Sequence, residues 1–140
     1  MWGAAAKTAL KPLITLQKRA IRNITKSQYN VNTAPLFKKL NILKLQELYS
    51  VQLNLLMYKH KNNALPPKIQ KMFTRNTDVY KHNTRQIQAT HINHRRLKCV
   101  SDSFICAGPR SWLNLPTQIK ECRTEQSFKT NLKKLFIAQY

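Results

Sequence analysis

Glycine occurs only twice in this 140-residue chain, at Gly3 and Gly108. Tight turns through positive φ are therefore scarce, and no Gly-rich phosphate-binding loop can exist. Six prolines punctuate the chain instead, at Pro12, Pro35, Pro66, Pro67, Pro109 and Pro116. No alternating strand pattern is convincing in any segment and no internal repeat is visible. Apolar residues recur instead at helical spacings. The expected fold class is mainly α, a small helical bundle carrying one long irregular basic loop.

The pattern is clearest in four places. From Leu10 to Lys26 the residues Leu10, Leu13, Ile14, Ile21 and Ile24 fall on a helical stripe, with Pro12 in the first turn. Thr33 can cap a short second helix whose apolar side is Leu36, Phe37 and Leu40. From Lys44 to about His60, apolar residues cover more than one stripe, which predicts the buried centre of the fold. Tyr49 and Tyr58 fall within it at core spacing. From about Thr124 to Gln139, Phe128, Leu132, Leu135 and Phe136 face one way and Lys129, Lys133 and Lys134 the other. Shorter helical pieces are expected after Pro67 and after Pro109, the latter carrying Trp112 and Leu115 and ending at Pro116.

Between these segments, residues 74–103 hold few large apolar side chains and many Asn, Thr, His and Arg. The spacing predicts loop or weakly extended structure. Thirty such residues exceed an ordinary connection, so the segment reads as a binding loop or as a linker that orders on a partner.

Charge points to the partner. The chain carries 25 Lys+Arg against 5 Asp+Glu, a formal charge of +20. No acid precedes Glu47. A protein so charged repels itself and attracts polyanions, of which nucleic acid is the commonest. Lys11, Lys18, Arg22 and Lys26, with Arg19 beside them, recur at helical spacing with no carboxylate at i±4 to neutralise them. They are either a solvated face or a phosphate contact. In the loop, Tyr80, Lys81, His82, Asn83, Thr84 and Arg85 put a ring, cations and hydrogen-bonding groups within six residues, and His91, His94, Arg95, Arg96 and Lys98 continue the series. Single-stranded nucleic acid is bound by such mixtures. The alternative is a solvated tether.

Catalytic signatures are missing. Glu47, Asp78, Asp102, Glu121 and Glu125 are scattered singly, without the carboxylate pair a two-metal polymerase or nuclease needs. His91, His94, Cys99 and Cys106 are types that zinc accepts, but common zinc modules place a close cysteine pair before the histidines. No cofactor or metal is expected. The three cysteines, Cys99, Cys106 and Cys122, are expected to be reduced thiols. No apolar run approaches the roughly 20 residues of a membrane span, and no membrane partner is expected.

One resemblance runs along nearly the whole chain. Trp2-Gly3 and Leu16-Gln17-Lys18-Arg19-Ala20-Ile21-Arg22 resemble the segment after the polymerase core of non-LTR, LINE-type retrotransposon reverse transcriptases of the jockey-like group. Thr33-Ala34-Pro35-Leu36-Phe37 with Leu40-Asn41-Ile42-Leu43-Lys44-Leu45 is similar to that family's TxPLFxxLxILKL. Met57-Tyr58-Lys59 and Asn63-Ala64-Leu65-Pro66 resemble its MYKxxNxxLP, and Asn83-Thr84-Arg85 the end of its HxYNTR. Gly108-Pro109, Trp112 and Leu115-Pro116 resemble GPxxWNxLP. Ser127-Phe128-Lys129, Leu132-Lys133-Lys134 and Tyr140 look like its usual ending. His82 stands where the family usually has Tyr, and Leu113-Asn114 replace its Asn-Ser.

The resemblance implies the C-terminal piece of a longer polyprotein. The fingers and the palm, with its aromatic-x-Asp-Asp motif, would lie upstream and be partners of this region. The piece would not be an enzyme on its own. Residues 1–26 would end the thumb, 27–73 form a helical core, 74–103 the basic loop and 104–140 a C-terminal helical segment. Lys11, Lys18, Arg19, Arg22, Lys26, Lys81, Arg85, Arg95, Arg96 and Lys98 would touch RNA and DNA backbone without reading sequence, in a nuclear or cytoplasmic ribonucleoprotein. Separated from such a polymerase, the first helix is expected to expose Leu13, Ile14 and Ile21. The alternative is a stand-alone mitochondrial or ribosome-associated RNA-binding protein, because residues 1–26 are also amphipathic, basic and acid-free, as a transit peptide is.

Overall fold

The computed structural model describes residues 5–82, 85 and 87–140. The fold is mainly helical, as the periodicity predicts. Among the described residues the helices are α1 (Lys7–Ile24), α2 (Ala34–Leu40), α3 (Leu45–Lys61), α4 (Pro67–Gln70), α5 (Asn76–Val79), α6 (Lys98–Ser101), α7 (Phe104–Leu113), α8 (Thr117–Lys120) and α9 (Glu125–Ala138). The only β pairing among them is an isolated antiparallel bridge between Arg75 and Thr90. The chain divides into two compact units, residues 1–52 with 121–140, and residues 53–120.

In the first unit α2 packs with α1 and with α9. Its buried residues include Leu10, Ile21, Phe37, Leu43, Val51, Phe128, Leu132 and Ile137. Phe128 and Leu132 sit one helical turn apart on α9 and are fully enclosed. The Thr124 hydroxyl caps α9 by accepting from the Ser127 N–H at 3.2 Å. Two polar devices tie the rest. Gln17 on α1 donates to the Leu43 carbonyl and accepts from the Leu45 N–H, each at 3.0 Å. The Lys44 N–H donates to Tyr140 Oη at 3.0 Å and lies 3.1 Å from Glu47 Oε2, and the Tyr140 hydroxyl donates to the same carboxylate. The Lys44 ammonium lies 3.7 Å from the Tyr140 ring centroid, a cation–π contact.

The buried set of the second unit includes Leu53, Leu55, Met57, Tyr58, Phe73, Cys106, Leu115 and Ile119. Phe73 meets the His60 ring at 4.8 Å and the Phe104 ring edge-on at 6.3 Å. Gly108 lets α7 approach Met57 closely: a Cβ there would stand 3.1 Å from the Met57 sulfur.

Scarce glycine has a structural answer. The positive-φ positions among the described residues are Lys26, Asn41 and Asn63. Each follows a helix, and an N–H one residue further on reaches back five residues to close the end: Ser27 to the Arg22 carbonyl, Ile42 to Phe37 and Ala64 to Lys59. Glycine normally fills this left-handed position. Asn is the next best tenant, and Lys is a costly one.

Five local expectations change. Pro12 lies inside α1 rather than in its first turn, because the helix already begins at Lys7. Thr33 is buried and does not cap α2; Asn32 Oδ1 accepts from the Ala34 N–H instead. Pro109 lies inside α7 rather than at its start, because the helix already begins at Phe104 and buries Cys106, Gly108 and Pro109 together. Residues 74–103 hold α5, α6 and a tied base rather than loop alone: Asn76 N–H donates to the Ala89 carbonyl and His91 N–H to that of Thr74. On α1, Leu13 is exposed and Ile14 half-buried, but Ile21 is 3% exposed, so the expected exposure of Ile21 is wrong. Its neighbours cover it because the inner face of α1 is set by Leu10, Ile14, Gln17 and Ile21 rather than by the whole apolar stripe.

Candidate nucleic-acid interface

On α1, Lys11 and Lys18 lie across the helix from the uncovered apolar residues, while Arg19 sits beside Leu16. Lys11, Lys18 and Arg19 are exposed. Lys11 and Lys18 share a face at a separation of roughly 10 Å along the axis. Leu13, Leu16 and Ile24 are also exposed, at 47%, 57% and 64%, on the other side of the helix from Lys11 and Lys18. Lys11 and Arg19 border a shallow hollow of about 420 Å³ with Thr8, Thr15 and Leu16. Lys26 is exposed in the turn that closes the helix.

Arg22 is the exception on this face. Its Nε and Nη2 both donate to the Val31 carbonyl, at 3.1 and 3.0 Å, and its guanidinium lies 5.6 Å from the Tyr29 ring centroid. It fastens the chain after α1 and keeps only part of its donor fork for another partner. Glu47, the first acid in the sequence, does not neutralise the face either. Its carboxylate is committed to Tyr140 and the Lys44 N–H. Burial raises its pKa above the usual carboxylate value, against the lowering effect of that N–H and of the Lys44 charge.

The second group lies in the other unit. Lys81, Arg85, Arg95, Arg96 and Lys98 are all exposed. Asn83 and Thr84, part of the expected contact cluster, lie outside the described residues. Tyr80 is 51% exposed and meets His91 edge-on at 5.6 Å, while His91 Nδ1 is 3.1 Å from Asn76 Oδ1. These contacts anchor the base of the basic segment. The His91, His94, Cys99 and Cys106 set is not gathered: among the described residues no three His, Cys, Asp or Glu side chains form a metal-holding group, and Cys106 is buried while Cys99 is exposed.

Sequence reasoning missed a cavity of about 330 Å³ in this unit, lined by His60, Lys61, Arg75, Thr90, Trp112 and Lys120 among others. Among the described residues no carboxylate lines it. Lys61 Nζ donates to the Lys120 carbonyl at 3.0 Å, and Lys120 Nζ to the Leu113 carbonyl at 3.1 Å. Burial lowers the Lys120 pKa, and the Lys61 charge lowers it further. His60 is 6% exposed, and among the described residues its Nδ1 makes no hydrogen bond of good geometry. Burial lowers its pKa below the ordinary histidine value; the Gln70 side chain opposes this and the Arg75 charge adds to it. Five separate stretches of sequence supply these walls, so no local window could have shown the cavity.

Comparison with protein-family models, with curated proteins and with solved structures finds no match to this chain.

Proposed function

We propose that this chain is a C-terminal region of a non-LTR retrotransposon reverse transcriptase and binds RNA and DNA backbone without sequence preference, having no polymerase chemistry of its own. The single observation carrying the binding claim is the exposed α1 face of Lys11, Lys18 and Arg19, unneutralised because the nearest acid in sequence is held elsewhere. Cations so placed release counterions from a phosphate backbone, which is the main source of non-specific affinity. The family part of the reading is supported by the ordered motifs running from Trp2 to Tyr140. The exposed Leu13, Leu16 and Ile24 agree with it, since a thumb helix has a polymerase body to pack against.

The test is equilibrium binding to a mixed duplex and a mixed single strand across a salt series. Affinity should fall steeply, with a log–log slope near −0.9 per phosphate neutralised on duplex and near −0.7 on single strands. The combined Lys11→Gln, Lys18→Gln, Arg19→Gln variant should flatten the duplex slope by about two to three. Equal affinity at low and high salt refutes the proposal.

A further inference from the structure

The cavity of the second unit has a composition that ordinary packing does not explain. Lys61, Arg75 and Lys120 line it with no acid among the described lining residues, and the Lys61 charge adds to burial in lowering the Lys120 pKa. Each ammonium uses one donor on a backbone carbonyl, which leaves two protons apiece for another acceptor. An anion would relieve the repulsion. The remaining walls are not those of a plain anion site. Trp112, Met57 and Pro109 add aromatic and apolar wall, and the buried His60 ring closes one side. A ligand that suits these walls is part flat and apolar and part phosphate. The volume lies at the lower end of small-molecule sites, roughly 300–1,000 Å³.

We infer that this cavity seats one nucleotide of a single strand, its base against Trp112 and its phosphate on Lys61, Arg75 and Lys120. A duplex keeps its bases inside the stack, and only a splayed base can enter a concave site. The inference rests on the nucleic-acid reading above and deepens it: α1 would hold backbone of either form, and the cavity would select unpaired nucleotides.

The experiment uses the full chain with Trp2→Phe, which leaves Trp112 as the one indole of a two-tryptophan sequence. Indole emission is followed during titration with a mixed-sequence single-stranded RNA, the matching duplex, AMP and inorganic phosphate. The single strand and AMP should quench Trp112, and the duplex should bind without quenching. Trp112→Leu should weaken single-strand binding at least about ten-fold and leave duplex binding unchanged, and Trp112→Phe should restore most of the loss. Arg75→Gln, which alters an exposed side chain, should weaken AMP binding without lowering the melting temperature. Single-strand binding that leaves Trp112 emission unmoved overturns the cavity assignment while the backbone reading stands. AMP binding no tighter than inorganic phosphate makes the cavity a plain anion site and also overturns it. Failure of every nucleic acid to bind removes both readings.

Discussion

Replacing Ile21 and Leu16 by alanine, one at a time, tests how α1 is seated. Both are apolar residues of α1, but they lie about 140° apart around the helix, and Ile21 is 3% exposed while Leu16 is 57% exposed. Ile21→Ala removes three buried carbons, worth about 0.8 kcal/mol each in transfer free energy, or about 2.4 kcal/mol. The cavity left behind raises the cost to about 3–4 kcal/mol. Leu16→Ala strips a side chain already mostly in water, and the shift should stay within about 0.5 kcal/mol. Alanine's better helix propensity offsets part of even that. Urea denaturation followed by far-UV circular dichroism reads the difference. With a slope of about 2 kcal/mol/M, Ile21→Ala should lower the midpoint by about 1.5–2 M and Leu16→Ala by under about 0.3 M. Equal midpoints for the two variants, or a larger loss for Leu16→Ala, would mean that α1 docks through its other apolar arc. The rationale for an uncovered Leu13, Leu16 and Ile24 face would then fall.

Two further outcomes follow from local geometry. Lys26→Gly should stabilise the chain by about 1 kcal/mol, because lysine there occupies a left-handed conformation that glycine adopts without steric cost; a lower urea midpoint would contradict it. His60 is held neutral by burial, so the unfolded chain takes up its proton first as pH falls. That stability is fully present above the ordinary histidine value and is lost as pH falls toward the lower folded one, so the urea midpoint should drop between about pH 8 and pH 5.5. Glu47 acts in the opposite sense, because its raised pKa makes the folded chain bind a proton first and gain stability as pH falls. The drop should therefore shrink in His60→Asn, and an unchanged pH dependence in that variant would refute the assignment.

Helix positions were largely legible because they depend on nearest-neighbour spacing. α3 shows it best: leucines on several faces predict burial all round, and Val51, Leu53, Leu55, Met57 and Tyr58 are buried, although Leu48 in its first turn is 39% exposed. Helix ends were less legible, since a start is decided by which of several adequate residues finds a partner. Thr33 is a good capping residue by type, but its burial leaves the cap to Asn32. Pro109 reads as a helix start by propensity and sits in the interior because Gly108, beside it, brings α7 against Met57.

The candidate site divides along the same line. Charge and its lack of nearby acids are properties of composition and order, so the exposed cations of α1 and of residues 81–98 could be named from sequence alone. Whether a cation is available is a property of its surroundings. Arg22 has the same spacing as Lys18 and is spent on the Val31 carbonyl. The pairing of Lys61 with Lys120, and their placement with Arg75, His60 and Trp112, joins residues up to 60 positions apart. What the sequence by itself determined was therefore the mainly helical class, the weight of positive charge and the residues that could carry it. Only the tertiary structure decided which face of α1 is buried, which cations stay available and where a cavity forms, because burial and desolvation are set by contacts distant in the chain rather than by its local period.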